Sequence, residues 1–175
     1  MNRMRKVLIA DDEVKVGQLV KRLIQWDRLG LTCIGLVTDG QTAYEKILSE
    51  SPDIVITDIR MPVLTGLEMI QKASEQGVKC HFIVVSGYKY FDYAQKALKY
   101  GVEDYLLKPI DEDELNRQLQ KIVAEEEQRE DKQQQVDQIE KKLEDSKYLR
   151  HKEFLRQILS QKQENNDAAN TEFGL

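Results

Sequence analysis

Four short apolar runs, each ending in a residue capable of chemistry, constrain this chain more than any other feature. Val7-Leu-Ile-Ala10 runs into the paired carboxylates Asp11-Asp12, and Asp53-Ile-Val-Ile-Thr-Asp58 ends in an acid. Phe82-Ile-Val-Val85 leads to Ser86, and Tyr105-Leu-Leu107 leads to Lys108-Pro109. A run apolar on both faces is a strand buried on both faces, and an open α/β sheet builds its ligand site at the carboxyl ends of such strands. Acids, a hydroxyl and an ammonium group are therefore expected to converge in one crevice.

The rest of the pattern up to about residue 122 agrees with that reading. Strands are expected near Lys6 to Ala10, Thr32 to Val37, Ile54 to Thr57, Phe82 to Val85 and Glu103 to Leu107. Between them, Val14 to Trp26, Gln41 to Ser49, Leu67 to Gln76 and Phe91 to Tyr100 repeat apolar residues three or four apart, the period of an amphipathic helix. Adding a last helix after Pro109, with Asp111 placed to cap it, gives a βα unit five times over. That alternation implies a parallel sheet covered by helices on both faces, with right-handed crossovers.

Composition excludes several classes. A net charge of −5 argues against a nucleic-acid surface on this piece, because phosphate binding needs a basic field. No apolar stretch approaches the ~20 residues that span a bilayer, and Asp11-Asp12 interrupt the N-terminal apolar run too early for a signal peptide. Cys33 and Cys80 both lie in or beside strand-like stretches, which suits buried free thiols in a reducing compartment. The chain reads as cytoplasmic, with no membrane partner.

Beyond residue 122 the character changes. Residues 123–146 read as a charged helical linker, polar through Ala124 to Gln135 and built of good helix formers. Val136, Ile139 and Leu143 then form a short stripe, which a partner helix covers in a coiled coil or which is part of a solvated spacer. Residues 147–161 form a second amphipathic segment carrying Tyr148, Leu149, Phe154, Leu155, Ile158 and Leu159, and 162–175 are a polar tail expected to fray. The second stripe has no partner left in the sequence, so the chain is expected to be a piece that ends just inside a following domain.

Three carboxylates in one crevice repel, and a hard divalent cation relieves them; Mg²⁺ is the usual ion where carboxylates and phosphate oxygens share the shell. Asp58, directly after its strand and before the Ile59-Arg-Met-Pro62 turn, is the acid open to an incoming phosphoryl group. Phosphoryl transfer asks mainly for positioning and charge neutralisation, which Mg²⁺, Lys108 and the Ser86 hydroxyl supply. Two enzyme-like readings fit worse. Haloacid dehalogenase phosphatases place a second acid two residues after the nucleophile, where this chain has Arg60. Nucleotide or flavin binding needs a glycine- or hydroxyl-rich first turn, and Asp11-Asp-Glu-Val-Lys15 is neither.

The ordered set Val7-Leu-Ile-Ala-Asp-Asp-Glu13, Asp53-Ile-Val-Ile-Thr-Asp-Ile-Arg-Met-Pro62 with Gly66, Val84-Val-Ser-Gly87 and Asp104-Tyr-Leu-Leu-Lys-Pro109 resembles the receiver domain of bacterial two-component response regulators. The likeness covers residues 1–122. It implies the flavodoxin-like (βα)₅ fold with strand order 2-1-3-4-5, and a signalling phospho-acceptor rather than an enzyme. By that resemblance Asp58 takes the phosphoryl group from a sensor histidine kinase. Asp12 binds Mg²⁺ directly, Asp11 binds it partly through water, and the Arg60 backbone carbonyl completes the set. Ser86 and Lys108 contact the phosphoryl group, and Tyr105 is the switch aromatic. Trp26, the Ser86 to Ala94 run, the Glu103 to Pro109 block and the Leu149 to Leu159 segment further resemble regulators carrying a C-terminal AraC-type helix-turn-helix, a domain absent here. That likeness implies transcription regulation; the alternative is a stand-alone interaction module. Lys89, Tyr93, Lys96 and Tyr100 fall on the outer side of the Phe91 to Tyr100 projection, a stripe suited to a phosphorylation-dependent contact. A homodimer is thus expected through the 88–105 surface or the 123–146 helix.

Overall fold

The structure, a computed structural model, describes residues 3–87, 95 and 99–172, and of residues 103, 104 and 161–172 the backbone alone. Five strands, β1 (Arg5–Ala10), β2 (Leu31–Val37), β3 (Ile54–Asp58), β4 (His81–Ser86) and β5 (Val102–Leu107), form one parallel sheet in the order β2-β1-β3-β4-β5. The expected strand order is the one observed. β3 is buried at every position, and β1 and β4 at all but one, which is why these segments read as continuous apolar runs.

Successive strand residues point to opposite faces, so the sheet sorts its own side chains into two cores. Leu8, Ala10, Val55, Phe82 and Val84 pack on one face with Ala43 and Ile47 of α3 (Gly40–Glu50) and with Leu67, Met69, Ile70 and Ala73 of α4 (Gly66–Glu75). Val7, Ile9, Ile54, Ile56, Ile83 and Val85 pack on the other face with Val20 of α1 (Val14–Leu23), Leu29 of α2 (Trp26–Leu29) and Leu115, Leu119, Ile122 and Val123 of α5 (Glu112–Glu172). Side-chain caps define the starts. Asp39 accepts from the Thr42 N–H at α3, Thr65 and Glu68 form a reciprocal capping box at α4, and Asp111 accepts from the Glu114 N–H at α5.

The first helix is shorter than its apolar period. The pattern from Val14 to Trp26 reads as one helix, whereas α1 stops at Leu23, Ile24 is extended, and α2 starts separately. Asn116 of α5 causes the break. Its amide donates to the Leu23 carbonyl at 2.8 Å and its Oδ1 accepts from the Gln25 N–H at 2.9 Å, taking up groups that a continuing helix would use itself.

The chain divides into two compact units, Met1–Ala124 and Glu125–Leu175. The backbone of the second is helical through Glu172, and there Val136, Ile139, Leu143, Tyr148, Leu149, Phe154, Leu155, Ile158 and Leu159 are all exposed. Among the described residues no helix is long and apolar enough to cross a membrane.

Candidate functional site

The sheet brings three acids to one place. Asp11 and Asp12 follow β1, Asp58 closes β3 beside it, and one carboxylate oxygen from each lies within 4.8 Å of the others. Asp11 and Asp58 are buried and Asp12 is exposed, so the cluster opens to solvent on the Asp12 side. Three carboxylate oxygen donors suit a hard divalent cation.

Asp58 is held from both sides. Its Oδ1 accepts from the backbone N–H of Ile59 at 2.6 Å and, more weakly, from that of Arg60 at 3.4 Å. Its Oδ2 accepts from Lys108 Nζ at 3.0 Å, and the same ammonium group donates to Asp11 Oδ2 at 3.2 Å. Lys108 thus bridges two buried carboxylates while keeping 21% of its own side chain exposed. The Lys108 N–H bonds to the Ser86 carbonyl at 2.9 Å, which ties the end of β5 to the end of β4; the Lys108–Pro109 peptide is cis. Ser86 itself is fully buried.

The charges answer to this geometry. Burial pushes the Asp11 carboxyl above the ordinary carboxylate range, with the Glu13 N–H and the Lys108 ammonium opposing it and Asp58 adding to it. Burial pulls the Lys108 ammonium down, but its hydrogen bond and attraction to Asp58, together with Asp11, outweigh that and raise its pKa. One cation is therefore shared by two acids, a placement from which it can also meet an added anion.

Glycine makes the close approach behind Asp58 possible. A Cβ on Gly66 would lie 2.0 Å from the Asp58 carbonyl oxygen, and the Gly66 N–H donates to the Ile59 carbonyl at 2.8 Å. Between them, Ile59, Met61 and Leu64 insert into the core while Arg60, Pro62 and Val63 face solvent.

Other residues singled out from the sequence fall less simply. Tyr105 is half-buried against the core on the α3 and α4 side of the sheet. Tyr100, expected on the outer side of its helix, is instead half-buried against that same core and sits in a turn. Lys89, Tyr93 and Lys96 lie outside the described residues. The residue order gives no role to Gly40, the first residue of α3, or to Val63 in the loop after Asp58, because a helix-start glycine and a loop valine carry no local signal of the contacts they make.

Residues 7–120 match the family model described as the response regulator receiver domain. Over 122 residues the chain is 46% identical to a Bacillus subtilis protein described as the uncharacterized transcriptional regulatory protein YesN, covering 70% of this chain and 33% of that one. Over 120 residues it is 35% identical to the transcriptional regulatory protein HptR of Staphylococcus aureus, covering 69% of this chain and 47% of that one. The chain thus spans a third to a half of the length of these relatives. Among solved structures, the receiver domain of AraT, a response regulator from Geobacillus stearothermophilus, superposes with a TM-score of 0.68 at 36% identity, covering 73% of this chain and 98% of that one. The chain belongs to the response regulator receiver domain family.

Proposed function

We propose that Asp58 accepts a phosphoryl group from a sensor histidine kinase and that the modified domain switches a transcriptional output. The observation that carries this is the convergence of Asp11, Asp12, Asp58 and Lys108 from the ends of β1, β3 and β5. Asp58 Oδ2 attacks phosphorus as the bond to the donor's imidazole nitrogen breaks, and the departing imidazole retains that bond's electron pair. Asp11, Asp12, Asp58 and the Arg60 backbone carbonyl would hold Mg²⁺, and the all-oxygen donor set fits that ion. When bound, Mg²⁺ supplies charge neutralisation at the phosphoryl oxygens.

The chain's own groups do the rest. The Ile59 and Arg60 N–H groups orient the Asp58 carboxylate through Oδ1, leaving Oδ2 toward Lys108. Lys108 follows the new negative charge, about two units on the phosphoryl group, and so loosens from Asp11. Ser86 meets a second phosphoryl oxygen, and Tyr105 turns inward behind it as a two-state element. Transcriptional output through a domain outside this chain is supported by the names of the relatives and by the fraction of them that the chain spans; that this domain is AraC-type rests on the resemblance of the sequence motifs. Pairing of two copies through Val136, Ile139 and Leu143 is supported by the exposure of that stripe.

Incubation with acetyl phosphate and Mg²⁺, read by intact mass, tests the reading. The expected result is a gain of about 80 Da, one phosphoryl group, which needs Mg²⁺ and is absent in Asp58→Ala. An unmodified wild type, with acetyl phosphate and with histidine kinases alike, would leave only the stand-alone interaction module.

A further inference from the structure

The loop from Ile59 to Thr65 carries Arg60, and an element remote in sequence holds it in shape. The Leu64 N–H bonds back to the Pro62 carbonyl at 2.7 Å across Val63, whose φ is 67°. An i to i+2 bond over a residue of positive φ is the strained kind of γ-turn, and a β-branched residue is poorly suited to it. Val63 gains nothing visible in return, being 82% exposed. Such strain persists only where surrounding structure over-determines it.

That surrounding structure is the start of α3. The Gly40 N–H donates to the same Pro62 carbonyl at 3.4 Å, and a Cβ on Gly40 would lie 1.8 Å from the Leu64 carbonyl oxygen. The contact is backbone against backbone, so neither side can yield by turning a side chain. On the far side of the turn, Pro62 has a fixed φ and restricts Met61 before it. Met61 is also buried in the core. Displacement of Pro62 or Leu64 therefore passes to the Arg60–Met61 peptide rather than being absorbed on the way.

We propose that Gly40 is a positioning residue for the metal site: by admitting the α3 N-terminus against the Pro62–Leu64 turn, it sets the direction of the Arg60 carbonyl. This rests on the reading of that carbonyl as a Mg²⁺ ligand. Gly40 touches neither metal nor phosphoryl group and acts through the turn.

Calorimetric titration of Mg²⁺, with no phosphodonor present, tests it on wild type, Gly40→Ala, Val63→Gly, their double variant and Asp39→Ala. Gly40→Ala is expected to weaken Mg²⁺ binding by about tenfold, the lower end of what a lost supporting contact costs a metal site. Glycine at 63 lets the turn give way in place of Arg60, so the double variant is expected to recover to within about threefold of Val63→Gly. Asp39→Ala removes the α3 cap but keeps the close approach, and is expected to bind Mg²⁺ as wild type does. Binding by Gly40→Ala within about twofold of wild type overturns the proposal, and so does an equal loss in Asp39→Ala, which would mean general loosening of α3. Should Gly40→Ala fail to fold, the double variant decides, and a loss there as large as about tenfold beyond Val63→Gly overturns the proposal. A wild type that binds no Mg²⁺ brings down the metal-site reading itself, a result distinct from all of these.

Discussion

Replacing Lys108 by Met keeps the aliphatic stem and removes the cation that, among the described residues, bonds to both buried acids. In wild type the ammonium lies 3.0 Å from Asp58 Oδ2 and 3.2 Å from Asp11 Oδ2, and the two carboxylate side chains are only 9% and 4% exposed. Each contact at about 3 Å is worth roughly 1.4 kcal/mol at the dielectric of water and roughly 5.5 kcal/mol at that of a protein surface. Desolvation of the ammonium offsets much of the sum. Removing one partner of a fully buried ion pair costs about 3–5 kcal/mol, and the exposed fraction of Lys108 places the net loss nearer 2–3 kcal/mol. For a domain of this size that lowers Tm by roughly 6–12 °C. The assay is urea and thermal unfolding at neutral pH, in chelator and in excess Mg²⁺. The chelated variant is expected to lose this stability, to regain part of it in excess Mg²⁺, and to bind Mg²⁺ roughly fivefold tighter than wild type. Wild type has a raised Lys108 pKa, so its contribution is complete below 10.5 and is lost as pH rises through the folded value; the variant is expected to lack that alkaline limb. A variant as stable as wild type in chelator would refute the reasoning, because the acids would then not need the ammonium.

Three further outcomes follow from particular contacts. Gly66→Ala places a Cβ against the Asp58 carbonyl and is expected to cost about 2–3 kcal/mol in urea unfolding and to slow phosphorylation of Asp58. Asn116→Leu deletes the bonds to the Leu23 carbonyl and the Gln25 N–H, with an expected loss of about 2–3 kcal/mol by the same assay. The folded Asp11 pKa is raised above 3.8, so the native state holds more protons than the unfolded chain between 3.8 and that value. Stability is expected to fall as pH rises through that window while Mg²⁺ affinity rises and binding expels protons, measurable by titration calorimetry in buffers of different ionisation enthalpy.

The parts of this molecule legible in the sequence are those set by burial along the chain. β1, β3 and β4 are apolar on both faces, so their limits, and the acids and serine that end them, show in the residue order alone. The meeting of Asp11, Asp12 and Asp58 follows once β1 and β3 are neighbours. What the residue order conceals depends on contacts distant in sequence. The end of α1 is made by Asn116, 93 residues beyond Leu23, while the apolar period itself runs on to Trp26. Lys108 reads as a partner for an added phosphoryl group, but its bonds to both Asp11 and Asp58 need the fold to be seen. Gly40 looks like an ordinary helix-start glycine, and only the Leu64 carbonyl beside it gives the missing Cβ a meaning. Val63 defies its own backbone preference, so no propensity could place it in a γ-turn.

One carboxylate, Asp58, is central to the proposed function, and chemical trapping reads it most directly. Treatment of the chain with phosphodonor and Mg²⁺, then borohydride, reduces an acyl phosphate to the alcohol and marks the residue that carried it. Peptide mass mapping is predicted to find homoserine in place of Asp58, with Asp11 and Asp12 unchanged. Label on Asp11 or Asp12, or none anywhere after verified phosphodonor turnover, would contradict the assignment of Asp58 as the acceptor.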